Sequence, residues 1–361
     1  MSSPPLAPPP RGYNPPLLVT HANPYVGPRA FTAGERLFGR DRELADLVDL
    51  VIAERIVLLH APSGAGKSSL LQAGLTPRLR AEGLVVLPVA RVGLPPPIAC
   101  RDRFTLSVLL GLEEDVPKDR QTPLAALAER SLADYLDHRR GDGDPEVLIL
   151  DQFEELLTID PAGRPAKLAF LRELGAALRR SDRFAVLALR EDWLAAIQAY
   201  RDLLPTRLRA GYRLELLGPA AALAAIQGPA AALGVRFTDA AAGKLVDDLR
   251  QIRIAQPDGS VALAPGPSVE PVQLQVACRT LWSRLSPGTA TIDVADLAAI
   301  GDVDHALSAY IDDELAAVAT ACKLPERLLR TWLARNLVTD SGLRSQVLRG
   351  ATDTSFVEPS N

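Results

Sequence analysis

Short apolar runs alternate with amphipathic segments through the first two thirds of the chain. The runs are rich in aliphatic residues and cover 55–60, 84–90, 147–150, 184–189 and 213–217. Between them lie segments with helical spacing, such as 165–180, where leucine recurs at every third or fourth position. Apolar strands that alternate with amphipathic helices are typical of a parallel sheet covered on both faces. The pattern therefore predicts an α/β fold.

Other segments place helices around this sheet. A helix is predicted around 40–53, before the first run, and Asp192 is the predicted N-cap of another helix over WLAAIQAY. The stretch 94–145 is Pro-rich and then helical. We interpret it as an insertion between the second and third strands.

The pattern changes after Gly218-Pro219, where helices alone are predicted. These helices cover 220–233, 238–250, 271–285, 293–299 and 303–319. The loop 251–270 is expected to be exposed and mobile. The segment 326–350 is expected to form a helix followed by a strand.

Composition describes an ordinary globular protein. The 361 residues are 47% hydrophobic and 23% charged, and this length suggests two or three domains. A net charge of −4 argues against nucleic acid or an anionic membrane as a partner, and no run has the ~18 apolar residues of a membrane span. Cys100, Cys278 and Cys322 lack metal-ligand spacing, so free thiols in a reducing cytoplasm are expected.

The stretch APSGAGKSS, residues 61–69, follows the first apolar run and nearly matches the phosphate-loop pattern G-x-x-x-x-G-K-[ST]. Ala61 replaces the first glycine at the strand exit, where a methyl group fits if φ stays negative. Lys67 is expected to reach the β- and γ-phosphates, and Ser68 is expected to bind Mg²⁺. The loop residues predicted to hold ATP or ADP are Gly64, Ala65, Gly66, Lys67, Ser68 and Ser69.

A second motif, VLILDQFEEL, runs from an apolar strand into acidic side chains. Asp151 is the candidate for water-mediated Mg²⁺ binding. Glu155 is the first choice, and Glu154 the second, for the carboxylate that polarises the attacking water. The alternative is a solvated acidic helix start. The spacing from Lys67 to Asp151 leaves room for one strand and an insertion, which favours the additional-strand, catalytic-glutamate type of P-loop ATPase over a nucleoside kinase.

Arg190 follows the apolar run 184–189 directly. On a strand beside the phosphate-loop strand, its guanidinium would face the γ-phosphate and stabilise charge in the transition state. The alternative is a strand-end ion pair with Glu191 or Asp192. Together with the two motifs, Arg190 predicts slow, Mg²⁺-dependent ATP hydrolysis.

Five segments resemble the STAND class of signal-transduction ATPases, in particular its bacterial novel STAND branch. They run in family order over roughly 23–285 and read NPYVGPRAFTAGERLFGRDREL, APSGAGKSSLLQAGLTPRL, LILDQFEELLT, LALREDWL and VEPVQLQVACRTLW. The resemblance implies a P-loop domain, a helical lid domain and a winged-helix domain that fold over ATP or ADP. The boundaries expected are a Pro-rich flexible arm at 1–22, a nucleotide-binding domain at 23–218, a lid at 219–290 and a partial winged-helix domain at 291–361.

The resemblance also implies residues that contact adenine. Phe38, Gly39 and Arg40 match the segment that packs on the base in this class. Glu270-Pro271 matches the proline-containing motif of the lid, with Pro271 near adenine.

The acidic motif of many members of the class reads D-x-x-D-E. Glu154 therefore stands where an aspartate is usual, and Glu155 aligns with the expected base. The winged helix of the class often supplies a histidine to the β-phosphate. His305 is a candidate for it, although the relevant segment could also lie beyond Asn361.

The leading functional hypothesis is a molecular switch. With ADP, the lid and winged helix close over the site; with ATP and a trigger, they open and expose a surface for oligomerisation or for attached effector and sensor modules. Members of the class often act in bacterial defence, which the resemblance implies as the setting. Two alternatives stay open: an initiator-like DNA-handling ATPase whose basic residues lie in 326–350, and a nucleotide-binding scaffold without turnover. The partners expected are ATP or ADP and protein domains or a second copy, with no membrane.

Overall fold

The structure is a computed structural model that describes residues 22–139, 144–158, 163–255, 261–298 and 303–337. Its helices are α1 (Asp41–Glu54), α2 (Lys67–Ser69), α3 (Thr76–Ala81), α4 (Arg103–Leu112), α5 (Leu124–Glu129), α6 (Leu132–Arg139), α7 (Glu155–Thr158), α8 (Arg164–Ala177), α9 (Leu194–Gln198), α10 (Pro219–Ala232), α11 (Asp239–Leu249), α12 (Pro271–Arg284), α13 (Val294–Ala298), α14 (Val303–Cys322) and α15 (Glu326–Asn336). Its strands are β1 (Ile56–Ala61), β2 (Val85–Val86), β3 (Ala90–Arg91), β4 (Glu146–Asp151), β5 (Arg183–Arg190), β6 (Ala210–Arg213), β7 (Arg236–Phe237), β8 (Gln251–Ala255), β9 (Val261–Pro265) and β10 (Thr291–Ile292).

A parallel sheet forms the centre of the first part of the chain. Its strand order is β2-β4-β5-β1-β6, and β3 also pairs with β4. Neighbouring residues of β1 enter different cores. Leu58 packs with α4 and α8 on one face, and Leu59 packs with α1 and the π-helical turn Leu70–Leu75, which follows α2, on the other. The α/β fold predicted from the apolar runs is confirmed. Because β5 lies directly beside β1, Arg190 pairs in register with Ala61.

Two of the predicted strands differ from the observed ones. The run 84–90 forms two short strands, β2 and β3, because Pro88 between them has no N–H to donate to a ladder. The strand predicted over 213–217 lies earlier, in β6, which ends at Arg213. After it the chain leaves the sheet, and Leu217 exchanges backbone hydrogen bonds with Val269 of the helical part.

The helix prediction beginning at Asp192 is also wrong in detail. Asp192 lies inside a 3₁₀ turn over Glu191–Trp193 and is not an N-cap, because its carboxylate forms an ion pair with Arg190. Helix α9 follows that turn and begins at Leu194. The predicted insertion is confirmed, since α4, α5 and α6 all lie between β3 and β4.

A separate apolar core lies in the part that follows Gly218. It is formed mainly by α10, α11 and α12, with Leu274 and Trp282 among its buried residues. We call residues 219–298 of the described chain the helical unit. The expectation of helices alone, with a mobile loop at 251–270, is wrong: β7 pairs with β10, and β8 pairs antiparallel with β9. The sequences QIRIA and VALAP alternate with a period of two, which is typical of strands. The prediction overlooked this alternation because helical patterns lie on both sides of it.

The segment 23–40, here called the entry segment, bridges the two cores. Tyr25 is fully buried in the core of the helical unit, and its hydroxyl donates to Ile226 O at 2.5 Å. Val26 N–H donates to Gln275 Oε1 of α12 at 3.0 Å. The entry segment therefore holds the helical unit against the sheet side of the molecule before α1 begins.

Helix α14 packs against α12, and α15 packs against α14. The predicted arm at 1–22 lies outside the described residues except for its last residue. The side chain of His305 and the strand predicted after α15 also lie outside them. The partial winged-helix domain therefore stays a prediction. Among the described helices, none combines the length and the apolar character needed to cross a membrane.

Candidate nucleotide-binding site

The phosphate-loop sequence forms the turn between β1 and α2. Gly64 and Gly66 have φ angles of +78° and +93°, which favour glycine because a Cβ is strained there. Ala61, which replaces the first glycine of the pattern, is the last residue of β1 and is fully buried. The substitution therefore falls in the strand, so the turn itself keeps the glycines that let backbone N–H groups point inward.

Lys67 begins α2 and points back across the loop. Its Nζ lies 3.5 Å from Ala61 O. Burial lowers the pKa of Lys67, while the nearby carboxylates of Glu154 and Asp151 oppose this shift. A half-desolvated ammonium group in this position is suited to bind phosphate oxygens.

Ser68 and Asp151 meet at the sheet edge. Ser68 Oγ donates to Asp151 Oδ2 at 2.5 Å, and Asp151 is 3% exposed at the end of β4. Gln152 adopts a left-handed backbone conformation, with φ of +53°, and its N–H donates to Asp151 Oδ1 at 2.9 Å. A hydroxyl and a carboxylate are hard oxygen ligands, so this pair fits Mg²⁺.

The two glutamates of the acidic motif face different partners. Glu155 forms an ion pair with Arg91 of β3 and accepts a hydrogen bond from Gly93 N–H at 3.1 Å. Glu154 is 8% exposed and accepts from Arg190 N–H at 3.3 Å. Burial raises the pKa of Glu154, and its own backbone hydrogen bond and the charge of Lys67 oppose this shift.

Arg190 ends β5 and lines the same cavity as Lys67. Its guanidinium forms the strand-end ion pair with Asp192 that was one of the two expectations for it. Its Nε is buried and lacks a hydrogen-bond partner among the described residues. The ion pair therefore leaves part of the guanidinium available to an anion in the cavity.

The opposite wall is formed by the entry segment and the helical unit. A Cβ added to Gly228 of α10 would lie 2.3 Å from the Phe38 ring, so the ring packs directly on the helix backbone. The guanidinium of Arg36 lies 4.6 Å from the centroid of the same ring. Pro271, at the start of α12, approaches the phosphate loop: a Cβ on Gly66 would lie 4.0 Å from its ring atoms.

Arg40 contacts the phosphate loop directly. It is 4% exposed, and its Nη2 donates to Ala65 O at 2.9 Å and to Glu215 O at 2.8 Å. It also forms an ion pair with Glu43 at 2.7 Å. Arg40 thus connects the loop to the chain that leads into the helical unit. Ser69 Oγ in the same region accepts from Phe31 N–H at 3.2 Å.

These walls enclose one cavity of about 860 Å³. Of the predicted site residues whose side chains the structure describes, all line it except Gly39. Gly39 instead packs on α10, where an added Cβ would lie 2.3 Å from Ala221 O. Sequence reasoning missed Arg91 and Arg103, which also line the cavity. The sequence did contain a signal for Arg91, since it directly follows the apolar run 84–90, as Arg190 follows the run 184–189. It contained no comparable signal for Arg103.

Solved structures of nucleotide-handling proteins share this fold. One is a Walker-type ATPase of Pyrococcus abyssi, with 14% identity, a TM-score of 0.54 and coverage of 85% of this chain and 79% of that one. Another is the ORC2 protein of Aeropyrum pernix, determined as ADPNP–ADP complexes, with 15% identity, a TM-score of 0.50 and coverage of 76% and 69%. The fold and the phosphate loop are those of a P-loop NTPase.

A comparison with known protein families assigns the chain to one family of P-loop NTPases. The family described as novel STAND NTPase 1 matches residues 24–356. The chain therefore belongs to the novel STAND NTPase 1 family, as the resemblance predicted. No curated protein matches its sequence significantly.

Proposed function

We propose that the chain is a nucleotide-controlled switch whose helical unit acts as a lid over ATP or ADP. The observation that supports this most directly is the contact between the start of α12 and the phosphate loop. Pro271 approaches Gly66, and Glu270 Oε2 lies 3.9 Å from the position of a Cβ on Gly64. The loop that would bind phosphates is therefore the same loop on which the lid rests.

In this proposal, the backbone of the phosphate loop and Lys67 bind the β-phosphate of either nucleotide. Ser68 and Asp151 hold Mg²⁺, which supplies charge neutralisation of the phosphates when it is bound. Adenine lies towards Phe38 and Pro271, on the apolar side of the cavity. Arg40 then acts as a positioning residue for the loop, because its guanidinium is occupied by two backbone carbonyls.

Glu154 is the carboxylate that we assign to polarising water during slow hydrolysis. It faces Lys67 and Arg190, and a raised pKa brings a carboxylate closer to the range of an effective general base. Glu155, the first choice from the sequence, already forms an ion pair with Arg91 and accepts a hydrogen bond from Gly93 N–H. It would have to leave that ion pair before it could activate water.

The charge of Glu270 gives a reason for the two lid positions. A triphosphate adds negative charge at the loop that this carboxylate approaches, so the closed lid is less favourable with ATP than with ADP. An opened lid would expose the helical unit to a second copy or to attached effector and sensor domains. We infer a setting in bacterial defence or stress signalling from the family.

The test is nucleotide titration and lid protection on purified protein. Wild type should bind ADP and ATP, and Lys67→Ala should lose at least tenfold in affinity for both. Lys244→Ala, on the exposed face of α11, should not change affinity. Hydrogen exchange of α12 should be faster with a non-hydrolysable ATP analogue than with ADP. Equal nucleotide affinity of wild type and Lys67→Ala would reject the proposal.

The same preparations separate the alternatives. Bound nucleotide with no turnover and no change in exchange would favour a scaffold. Salt-dependent DNA binding would favour an initiator-like ATPase. Among the basic residues of helix α15, Arg330 is already ion-paired with Asp312 at 2.6 Å and Glu326 at 2.7 Å, so its charge would not contribute fully to a DNA-binding surface.

A further inference from the structure

Six cationic side chains line the nucleotide cavity, and five of them lie beside an acid. The four arginine pairs are Arg29–Glu35, Arg40–Glu43, Arg91–Glu155 and Arg190–Asp192, while Lys67 lies near Glu154 and Asp151. Arg103 is the exception. Within the ranges that the structure describes, its side chain has neither a hydrogen bond nor an ion pair, and its Nε is buried.

The lack of a partner has a local cause. Arg103 is the first residue of α4, and the acid beside it in sequence, Asp102, caps the helix. Asp102 Oδ1 accepts from Phe104 N–H at 2.8 Å and from Thr105 N–H at 3.0 Å. The guanidinium of Arg103 instead lies 5.7 Å from the Phe104 ring centroid, a contact that orients it without neutralising its charge.

The packing of α4 places Arg103 at the sheet edge that carries the phosphate-site residues. Ser107, one turn later on α4, donates to Arg91 O at 2.7 Å and accepts from Leu94 N–H at 2.9 Å. Arg91 in turn pairs in register with Asp151, the Mg²⁺ candidate. The helix is thus fixed to the end of β3, and Arg103 enters the cavity beside that strand end.

We propose that Arg103 contacts the terminal phosphate of a bound nucleoside triphosphate and sets the preference of the site for triphosphate over diphosphate. This inference rests on the proposed nucleotide-binding function. A partly buried guanidinium without a counter-charge is costly, and a phosphate oxygen is the anion that this cavity is built to receive. The phosphate loop and Lys67 serve the β-phosphate of both nucleotides, so a cation that reaches only the added phosphate discriminates between them.

The test compares the affinities of MgADP and of a non-hydrolysable MgATP analogue. Arg103→Gln should weaken binding of the analogue ~10- to 100-fold, the range that one charge-assisted hydrogen bond supports, and change ADP affinity less than twofold. Arg103→Lys should retain an intermediate preference. Arg101→Gln is the matched control, because Arg101 is two residues away, half exposed, ion-paired to Glu173 at 3.9 Å and outside the cavity.

An unchanged ratio of the two affinities in Arg103→Gln would overturn the inference, and so would an equal loss for both nucleotides. The retained ADP affinity reports that the variant is folded; if Arg103→Gln does not fold, the ratio in Arg103→Lys decides. Lys67→Ala separates the two proposals, because it should lose both nucleotides together. If wild type binds neither nucleotide, both the proposed function and this inference are refuted. If wild type binds both nucleotides and its preference between them is unchanged in Arg103→Gln, only this inference is refuted.

Discussion

Ser68 Oγ donates a 2.5 Å hydrogen bond to Asp151 Oδ2 and so joins the phosphate loop to the end of β4. Asp151 ends β4, whereas Ser68 lies in α2, after the turn that follows β1, and these two strands are not neighbours, since β5 lies between β1 and β4. The hydrogen bond therefore exists because parallel strands end at one edge of the sheet, where motifs far apart in sequence meet.

The first prediction concerns Mg²⁺ at this pair. We expect Mg²⁺ to raise the affinity of wild type for ATP. In Asp151→Asn, the factor by which Mg²⁺ raises this affinity should be about tenfold smaller, because an amide is a weaker ligand for a hard cation than a carboxylate. Calorimetric titration of ATP with Mg²⁺ and with a chelator measures the difference. Ser68→Thr is the control, because it keeps a hydroxyl at the position. A Mg²⁺ effect of equal size in Asp151→Asn would contradict the assignment.

The second prediction separates the two glutamates. Glu154→Gln should reduce ATP turnover at least about 100-fold, as expected for loss of a general base, with ADP affinity retained. Glu155→Gln should reduce turnover less, because its carboxylate is engaged by Arg91. Steady-state phosphate release at saturating ATP is the measurement. The reverse order of the two variants would return the role to Glu155.

The third prediction uses the raised pKa of Glu154 in the ligand-free protein. Since its folded-state pKa lies above the ordinary value of 4.5, the protonated form stabilises the fold below that pH, and this stability is lost as pH rises through the folded-state pKa. Glu154→Gln stays neutral, so it should unfold at a higher temperature than wild type at pH 8 and at the same temperature at pH 4.

Glu35 provides a control of opposite sign for that pH profile. The hydrogen bond from Arg29 lowers the pKa of Glu35 to about 2, so its stabilising effect is present above pH 4.5 and is lost as pH falls towards 2. Glu35→Gln should therefore lower the melting temperature at pH 8. A Glu154→Gln variant that also melts lower at pH 8 would show that the charged form of Glu154 stabilises the ligand-free fold.

The sequence predicted the local structure of the candidate site where that structure depends on short motifs. The turn after β1 and the acidic end of β4 each follow from a buried strand and the residues directly after it, as for Lys67 and Asp151. The part that it did not predict depends on packing between segments. Arg91 and Arg103 enter the cavity because α4 docks on β3, and nothing in the stretch 94–145 encodes that contact as a motif.

The same division applies to the fold. Strand runs with uniform apolar character, such as β4 and β5, were predicted closely because burial on both faces leaves few alternatives. The hairpin of β8 and β9 was missed because each of its alternating runs is only five residues long and its strands are stabilised by pairing with each other. The packing of Tyr25 in the helical unit was missed for a related reason, because its partner Ile226 lies far away in the sequence.

The last prediction tests the contact between the entry segment and α10 with two matched glycines. Gly39 and Gly34 both have positive φ, +76° and +88°, so alanine costs roughly 1 kcal/mol of backbone strain at either position. Only at Gly39 would the new Cβ meet a backbone atom, Ala221 O at 2.3 Å; at Gly34 nothing lies within 4 Å. Gly39→Ala should therefore lower the free energy of unfolding in urea by a further ~1–3 kcal/mol, the range of overpacking. It should also weaken ADP binding, because Phe38 precedes it in the cavity wall, whereas Gly34→Ala should not. Equal losses in the two variants would mean that the entry segment moves away from α10 in solution, and that the helical unit is not held over the cavity through this contact.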